Sequence, residues 1–546
     1  MTIVPIRDLG KLGVNTDWSP LDLPITAWTF GSNVRFTDNR IKRGPIFSSI
    51  DTLSNTSPRG CVAYRLLNGS FDFLLLNQDG TITSWRCSGP TGTPVQSDLS
   101  ISGWTSSSPR LAYTTELFND VMYVNRSDRL PWSKTSAANS FSALANWNPD
   151  WRCESLRSFS GVLVALNVTK GGVQYPSMIT TSDFTVAGVV PDTWVADTTN
   201  SATENLLTDL NSPLVDGKSL RDRFIVYAGN ETWVMEYRGD SLMFNYKRLY
   251  YDRGLISQNC VAEYQSVHYV FGNDDIWSHD GYQHKSIAIG RVRDFVFNNL
   301  VRTEAHQFFA INNPKVGEII FCYVSNDPYC YYPVGGSLGY PGCNRAAVYN
   351  HLYDTWAFYD LPYLVGANVG PVYTGLTYAE QASAIYDATT AAYSSLFDET
   401  ARYLMTVSST NGSTVNSKLR LYEDPKIASV IGTIDTAATA PVYLENLQMD
   451  MDDVAKELKG YKVVNQLYPE ATFDSGAPPL TFYWGSSDYS NIPVTYDDPM
   501  TFDGSTYYKL DFNSPGRYLS IKVTYSGTQG FSLSGFDMDY QLFGHR

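Results

Sequence analysis

The chain has 546 residues, 43% hydrophobic and 14% aromatic, enough for a sizeable core and roughly two to four domains. Its 40 basic and 55 acidic residues leave a formal charge of −15, which argues against a surface that grips nucleic acid through Lys and Arg. Seven Cys without a CxxC pair, an N-terminus without an apolar signal core, and no apolar run near the ~20 residues of a membrane span predict a soluble chain with free thiols, made in the cytoplasm.

Residues 1–54 read as an extended arm, punctuated by Pro5, Pro20, Pro24 and Pro45. The stretch NVRFTDNRIK (33–42) reads as a small hairpin turning at Asp38-Asn39. Arg35, Arg40, Lys42 and Arg43 make it basic within an acidic chain, either as a solvated face or as a contact to an acidic neighbouring subunit.

Residues 55–435 read as a β-propeller, giving an all-β fold. Apolar strand, polar turn and Trp-bearing strand recur at intervals of roughly 40–50 residues, ending at Trp85, Trp132, Trp233 and Trp277, with a hairpin ending at Phe184 between. The stretch NRAAVYNHLYDTWAFYDLP (344–362) repeats the pattern: Val348-Tyr349 and Thr355-Trp356 match Val226-Tyr227 and Thr232-Trp233. Residues 197–221 read as a polar connection with one helical turn near Asn205–Leu210, and 291–300 as a short helix. The loop from Ser325 to Gly342 reads as a surface excursion. Its Tyr329, Tyr331, Tyr332 and Tyr340 are candidate contacts to a neighbour or a channel, and Cys330 and Cys343 flank it. The run at 418–424 reads as the last blade strand. Residues 436–546 carry longer strands at the spacing of a β-sandwich.

No phosphate loop, HExxH pair or nucleophile elbow occurs, so no catalytic, cofactor or metal residue is assigned and no enzyme activity is expected. His268, His279 and His284 are read as solvated turn histidines rather than metal ligands, because helical ligand spacing is missing. NQDGTITSW lacks the spacing of a sialidase Asp-box, since Asp79 and Gly80 adjoin. A carbohydrate-binding or glycoside-cleaving propeller stands as the alternative reading.

Four stretches, in their order, carry a family resemblance: LPITAWTFGSNVRFTDNRIKRGP (23–45), the run 223–300 that opens RFIVYAGNETWVMEYRG, the 344–362 stretch, and the ending GRYLSIKVTYSGTQGFSLSGFDMDYQLFGHR. The chain resembles the tail nozzle proteins of short-tailed bacteriophages, also called tail tubular protein B or DNA-stabilisation proteins. The resemblance implies a homohexameric ring at the distal end of a virion tail, made in the host cytoplasm. That ring docks on a tail adaptor, can support tail fibres, and surrounds the channel through which double-stranded DNA leaves. It makes Arg35, Arg40, Lys42 and Arg43 candidate subunit or adaptor contacts. No cofactor and no membrane insertion are implied. An acidic chain suits a channel that DNA traverses without being held.

Overall fold

In the computed structural model, the described residues are 2–54, 57–65, 71–86, 95–101, 111–239, 243–333, 341–370, 403–409, 417–431, 433–449, 460–490 and 493–542. β-Branched and aromatic runs broken by Asn, Asp, Ser and Gly turns become antiparallel meanders. Two-residue turns join Thr37 to Arg40, Phe118 to Val121 and Tyr264 to Val267, with both turn residues at positive φ: Asp38 and Asn39, Asn119 and Asp120, Gln265 and Ser266. That conformation matches the twist of the flanking strands and favours the short polar residues found there.

Five four-stranded antiparallel sheets follow in chain order: sheet one (58–98), two (114–143), three (151–206), four (214–250) and five (261–286). First strands of sheets two, three and four lie side by side, and apolar faces meet between sheets. Leu74, Met122 and Trp132 fill the gap between one and two; Val164, Phe224 and Trp233 fill that between three and four. A larger sheet of fourteen strands follows. In it Phe309–Asn313, Glu318–Tyr323, Cys343–Asn350 and the first half of Thr355–Gly370 form a meander. The second half of Thr355–Gly370 then pairs with Tyr403–Ser408, which pairs with Lys418–Glu423.

The order of sheets returns on itself. Val365, Met405 and Leu419 share a cluster with Phe73, Leu75 and Trp85 of sheet one. Gly366 lies where an added Cβ would sit 2.9 Å from the Cys61 backbone nitrogen, so only glycine allows this approach. Ile46–Thr52 lies antiparallel to Lys418–Glu423, with the short Thr433–Ile434 beyond it at the edge. The last blade strand expected at 418–424 is therefore covered by one from the arm, and the sheet region begins before residue 55.

All five recurring Trp are buried. Trp85, Trp132, Trp233 and Trp277 sit on the third strand of sheets one, two, four and five, while Trp356 opens the fourth strand of its meander. Trp132 and Trp233 face the preceding sheet, and the Trp356 indole donates to the Ile287 carbonyl (3.0 Å) just after sheet five.

The arm is not a separate layer. Thr2–Arg7 pairs with Phe531–Leu542, and Arg40–Arg43 also meets that C-terminal strand. Phe30–Ser32 lies between Thr355–Gly370 and Val442–Met449, joining the meanders to the C-terminal strands in one continuous sheet. The six longer C-terminal strands fall at 442–449, 462–473, 480–487, 510–516, 518–525 and 531–542, and two short ones, Thr495–Tyr496 and Met500–Phe502, pair with 480–487. They divide between two sheets whose apolar sides, including Leu444, Val464, Trp484 and Ile521, join one cluster.

Three expectations change. Thr203–Leu206 is a strand of sheet three rather than a helical turn, because its alternating residues pair with Met178–Thr181. Phe184 lies beyond its hairpin and is exposed. The flank of the 325–342 loop is core: Ser325, Asp327 and Tyr332 are buried, while 334–340 lies outside the described residues. The short helix is present at Arg293–Asn299, and the Ala/Thr/Ser-rich stretch 372–395, whose sequence fits either a helix or a loop, lies outside the described residues.

Candidate functional site

The first strands of the sheets surround a cavity of about 430 Å³. Strand alternation places one charged side chain inward where the other face is apolar. Arg157 of sheet three forks onto Asp216 of sheet four, with Nε at 2.8 Å and Nη2 at 2.6 Å. The same guanidinium donates to the Thr115 carbonyl of sheet two (3.0 Å) and to Asn259 Oδ1 (2.9 Å). Ser155 Oγ and the backbone N–H groups of Gly217 and Asn259 also donate to Asp216. Burial alone would raise the Asp216 pKa, but Arg157 and these donors outweigh it and hold the carboxyl below its usual range. With five donors on two oxygens, Asp216 is not free to act as base or nucleophile. It clamps sheets together.

Glu116 and Lys218 line the same cavity. Burial raises the Glu116 pKa, only partly opposed by Arg157 and by the Ser158 hydroxyl 2.5 Å away. Water reaches Lys218 through the cavity, yet protein rings it. Desolvation and the Arg157 charge lower its pKa, and it donates to the Val261 carbonyl (3.2 Å). Sequence reading missed this set. Its signal in the sequence is weak, because Arg157 shares WRCESLRSF with Arg152 and Glu154, and Asp216 shares LVDGKSL with Lys218.

The basic arm cluster splits. Arg35 is buried and paired with Glu318 (2.5 Å) and Asp424 (2.5 Å). Arg43 is buried without a carboxylate contact, donating to the carbonyls of Asn33, Ala440 and Gly527; burial lowers its pKa to about 10. Both therefore fasten the arm inside the chain and are not available as subunit or adaptor contacts: a buried guanidinium requires internal acceptors. Arg40 is exposed, and Lys42 pairs with Asp38 at 2.8 Å on the surface.

The tyrosines also part. Tyr329 is exposed and stacks on Phe30, with ring centroids 4.3 Å apart. Tyr331 is exposed, its backbone N–H on Asp360. Tyr332 is buried, its hydroxyl on the Ala437 carbonyl (3.2 Å), so it is core rather than contact. Tyr340 lies outside the described residues. Beneath them Arg345, fully buried, meets Asp327 (3.2 Å) and Asp360 (2.5 Å) and lies over the Phe30 and Phe358 rings. Cys330 and Cys343 are free thiols.

His268 and His279 are buried rather than solvated, since their strands face sheet four. The Tyr227 hydroxyl lies 2.7 Å from His268 Nδ1 and 2.7 Å from His279 Nε2, filling the space a metal would need. Among the described residues no group of three or more His, Cys, Asp or Glu is placed to hold a metal ion.

No family model matches the chain, and no curated protein matches it. Among solved structures, that of U3-55K is similar at a TM-score of 0.40 and 9% identity, over 69% of this chain and 100% of that one, a likeness too slight to carry an argument.

Proposed function

We propose that this chain is a structural subunit of the distal nozzle of a short phage tail, with no enzyme activity. Its meanders form a β-propeller, and its arm joins the C-terminal strands in a β-sandwich-like module. One observation carries the reading: the stretches behind the family resemblance, far apart in sequence, meet in space. Ser32 of the first pairs with Phe358 of the third, Ile41 of the first with Leu533 of the fourth, and Ile287 of the second accepts from Trp356 of the third. Residues scattered over the chain thus belong to one architecture, which the resemblance assigns to a hexameric ring between adaptor and fibres.

The −15 charge fits a channel wall that is acidic or neutral, past which DNA slides without pairing to fixed cations. The carbohydrate reading draws less support, since Asp216, one of the two buried carboxyls described in the cavity, is occupied by Arg157 and cannot act as a free partner to Glu116. Electron microscopy of the purified chain, alone and with the adaptor, tests the proposal: rings with a central opening are expected. Monomers that bind or cut glycans would overturn it. Duplex binding that is tight and falls steeply with salt would overturn the acidic wall while leaving the ring.

A further inference from the structure

The C-terminal strand Phe531–Leu542 carries carboxylates that are balanced at one end and unbalanced at the other. It has Thr2–Arg7 on one side and Lys462–Phe473 on the other. Paired residues on antiparallel neighbours share a face, and so do residues two apart on one strand. Three successive rows on one face follow from the register: Arg7 and Glu470 flank Gly535, Pro5 and Tyr468 flank Asp537, and Ile3 and Gln466 flank Asp539.

In the first row Gly535 leaves room for Arg7 to cross, since an added Cβ there would lie 3.2 Å from the Arg7 Cδ. Arg7 thereby reaches Glu470 (3.0 Å) and Asp537 Oδ1 (2.6 Å). The third row has no such cation. Asp539 is 1% exposed, and among the described residues neither of its carboxylate oxygens meets a hydrogen-bond donor. Ile3 on one side has no side-chain donor to offer. Gln466 on the other turns its amide NH₂ to Asp511 (2.8 Å). The Gln466 oxygen accepts from the Tyr468 hydroxyl (2.6 Å) and keeps a second lone pair. A buried carboxylate without a partner is strongly disfavoured, and a bound ion is one of the few things that satisfies it.

The donors at hand are all oxygens: both from Asp539, one from Asp537 and one from Gln466. A set without nitrogen or sulfur suits a hard cation. Calcium takes about six to eight oxygens in flexible geometry and accepts a carboxylate through both of its oxygens, whereas magnesium demands a near-regular octahedron. We propose that Asp539 and Asp537, with the Gln466 oxygen across from them, bind a calcium ion that fastens Lys462–Phe473 to Phe531–Leu542. Waters complete the shell, since two carboxylates are fewer than a three-carboxylate cage. The site neutralises the charge that Arg7 does not reach, and it does not depend on the nozzle reading.

The test uses full-length protein stripped with EDTA and titrated with calcium chloride by calorimetry. A dissociation constant of about 10⁻⁴–10⁻³ M is expected, the range of calcium sites with few charged ligands. Calcium should raise the melting temperature of the unaltered chain, because it binds the folded state. Terbium chloride, which replaces calcium at oxygen sites, should emit when tyrosine is excited, with Tyr468 in the adjacent row as donor. Asp539→Asn keeps the shape and removes the charge. It should weaken calcium binding at least tenfold, remove the calcium-dependent rise in melting and lose most of the terbium emission. In EDTA it should melt no lower than the unaltered chain, since it deletes an unpaired buried charge. Should this variant not fold, Asp537→Asn carries the same expectation for calcium and terbium. An unaltered chain that shows no calcium response up to about 10 mM, tenfold above the expected range, overturns the site. Calcium binding or terbium emission that survives the substitutions undiminished assigns the ion to the acidic surface at large and also overturns it. Magnesium chloride that binds as tightly as calcium overturns the choice of ion.

Discussion

Between sheets four and five, Tyr227, His268 and His279 form a neutral triad; where the arm meets the 344–362 hairpin, Arg345, Asp327 and Asp360 form a charged one. Each is buried, and each sits at a seam the chain must close. The neutral triad draws on two adjacent sheets, and every proton in it has a place. His268 Nε2 donates to the Ser219 carbonyl (3.0 Å), so its Nδ1 accepts from Tyr227. The Tyr227 oxygen accepts from His279 Nε2, whose Nδ1 takes the Gly281 N–H (3.2 Å). The charged cluster instead gathers distant segments, for Asn33 of the arm donates to Asp360 (2.7 Å) and the Tyr331 N–H donates to it from the loop. A seam between neighbours needs only hydrogen bonds of defined direction. One that ties together three remote segments uses charge, which tolerates fewer omissions.

The contrast breaks most sharply at Arg345. Arg345→Ala leaves Asp327 and Asp360 buried without a cation and should cost about 3–5 kcal/mol in urea unfolding. A loss below about 1 kcal/mol would show that water or rearrangement solvates the carboxylates.

Acid separates the two clusters next. Burial lowers the pKa of both imidazoles, His268 well below 6.5 and His279 to about 3. The nearby charges of Lys218 and His284 act in the same direction, and Asp280 opposes at His279. Unfolding returns both rings to their ordinary value near 6.5, where they bind protons that the folded protein refuses. Stability is therefore full above pH 6.5 and is lost as pH falls from there toward 3. At pH 5 the loss should be about 2 kcal/mol for each imidazole. Arg345 stays charged across this range, because its carboxylates outweigh burial. Urea midpoints at pH 7 and pH 5 check this; His268→Gln with His279→Gln should flatten the slope, and an unchanged slope would place the acid sensitivity elsewhere.

How much of this was legible follows from which interactions are local. Trp132, Trp233 and Trp277 each stand at the opening of a third strand just past a polar turn, so spacing alone located the meanders. The C-terminal strands were equally plain from their alternation. The pairing of Phe30–Ser32 with both Thr355–Gly370 and Val442–Met449 was not, since three residues make no period and the partners lie hundreds of positions away. Arg35 and Arg43 misled for the same reason. Charge suggests solvent until Glu318, Asp424 or a ring of carbonyls is brought in by long-range pairing. His268 and His279 looked solvated because one strand cannot reveal that sheet four covers it.

Tyr227→Phe sharpens the neutral side. It keeps the ring and removes the hydroxyl, so His268 Nδ1 and His279 Nε2 lose their shared partner. The expected cost is about 1–3 kcal/mol at pH 7, the price of two unsatisfied buried groups. Equal stability of the variant would mean that the imidazoles find each other directly, their centroids being 5.3 Å apart.

The smallest effect is expected on the surface of the arm hairpin, where Lys42 stands opposite Arg35 in register. Lys42 and its partner Asp38 keep side-chain exposures of 39% and 60%, so solvent and salt screen their attraction. Lys42→Ala should change unfolding by no more than ~0.5 kcal/mol, and by less at high salt. Assembly is a separate readout. Lys42 and Arg40 are the two of the four basic arm residues that a neighbour can reach, because Arg35 and Arg43 are buried. Lys42→Ala with Arg40→Ala should therefore leave melting in place while slowing ring formation, most visibly at low salt, where rim charges steer encounter. Slowed assembly with unchanged melting would assign the arm tip to a contact between copies. Unchanged assembly at every salt concentration would reduce these two charges to a solvated hairpin face.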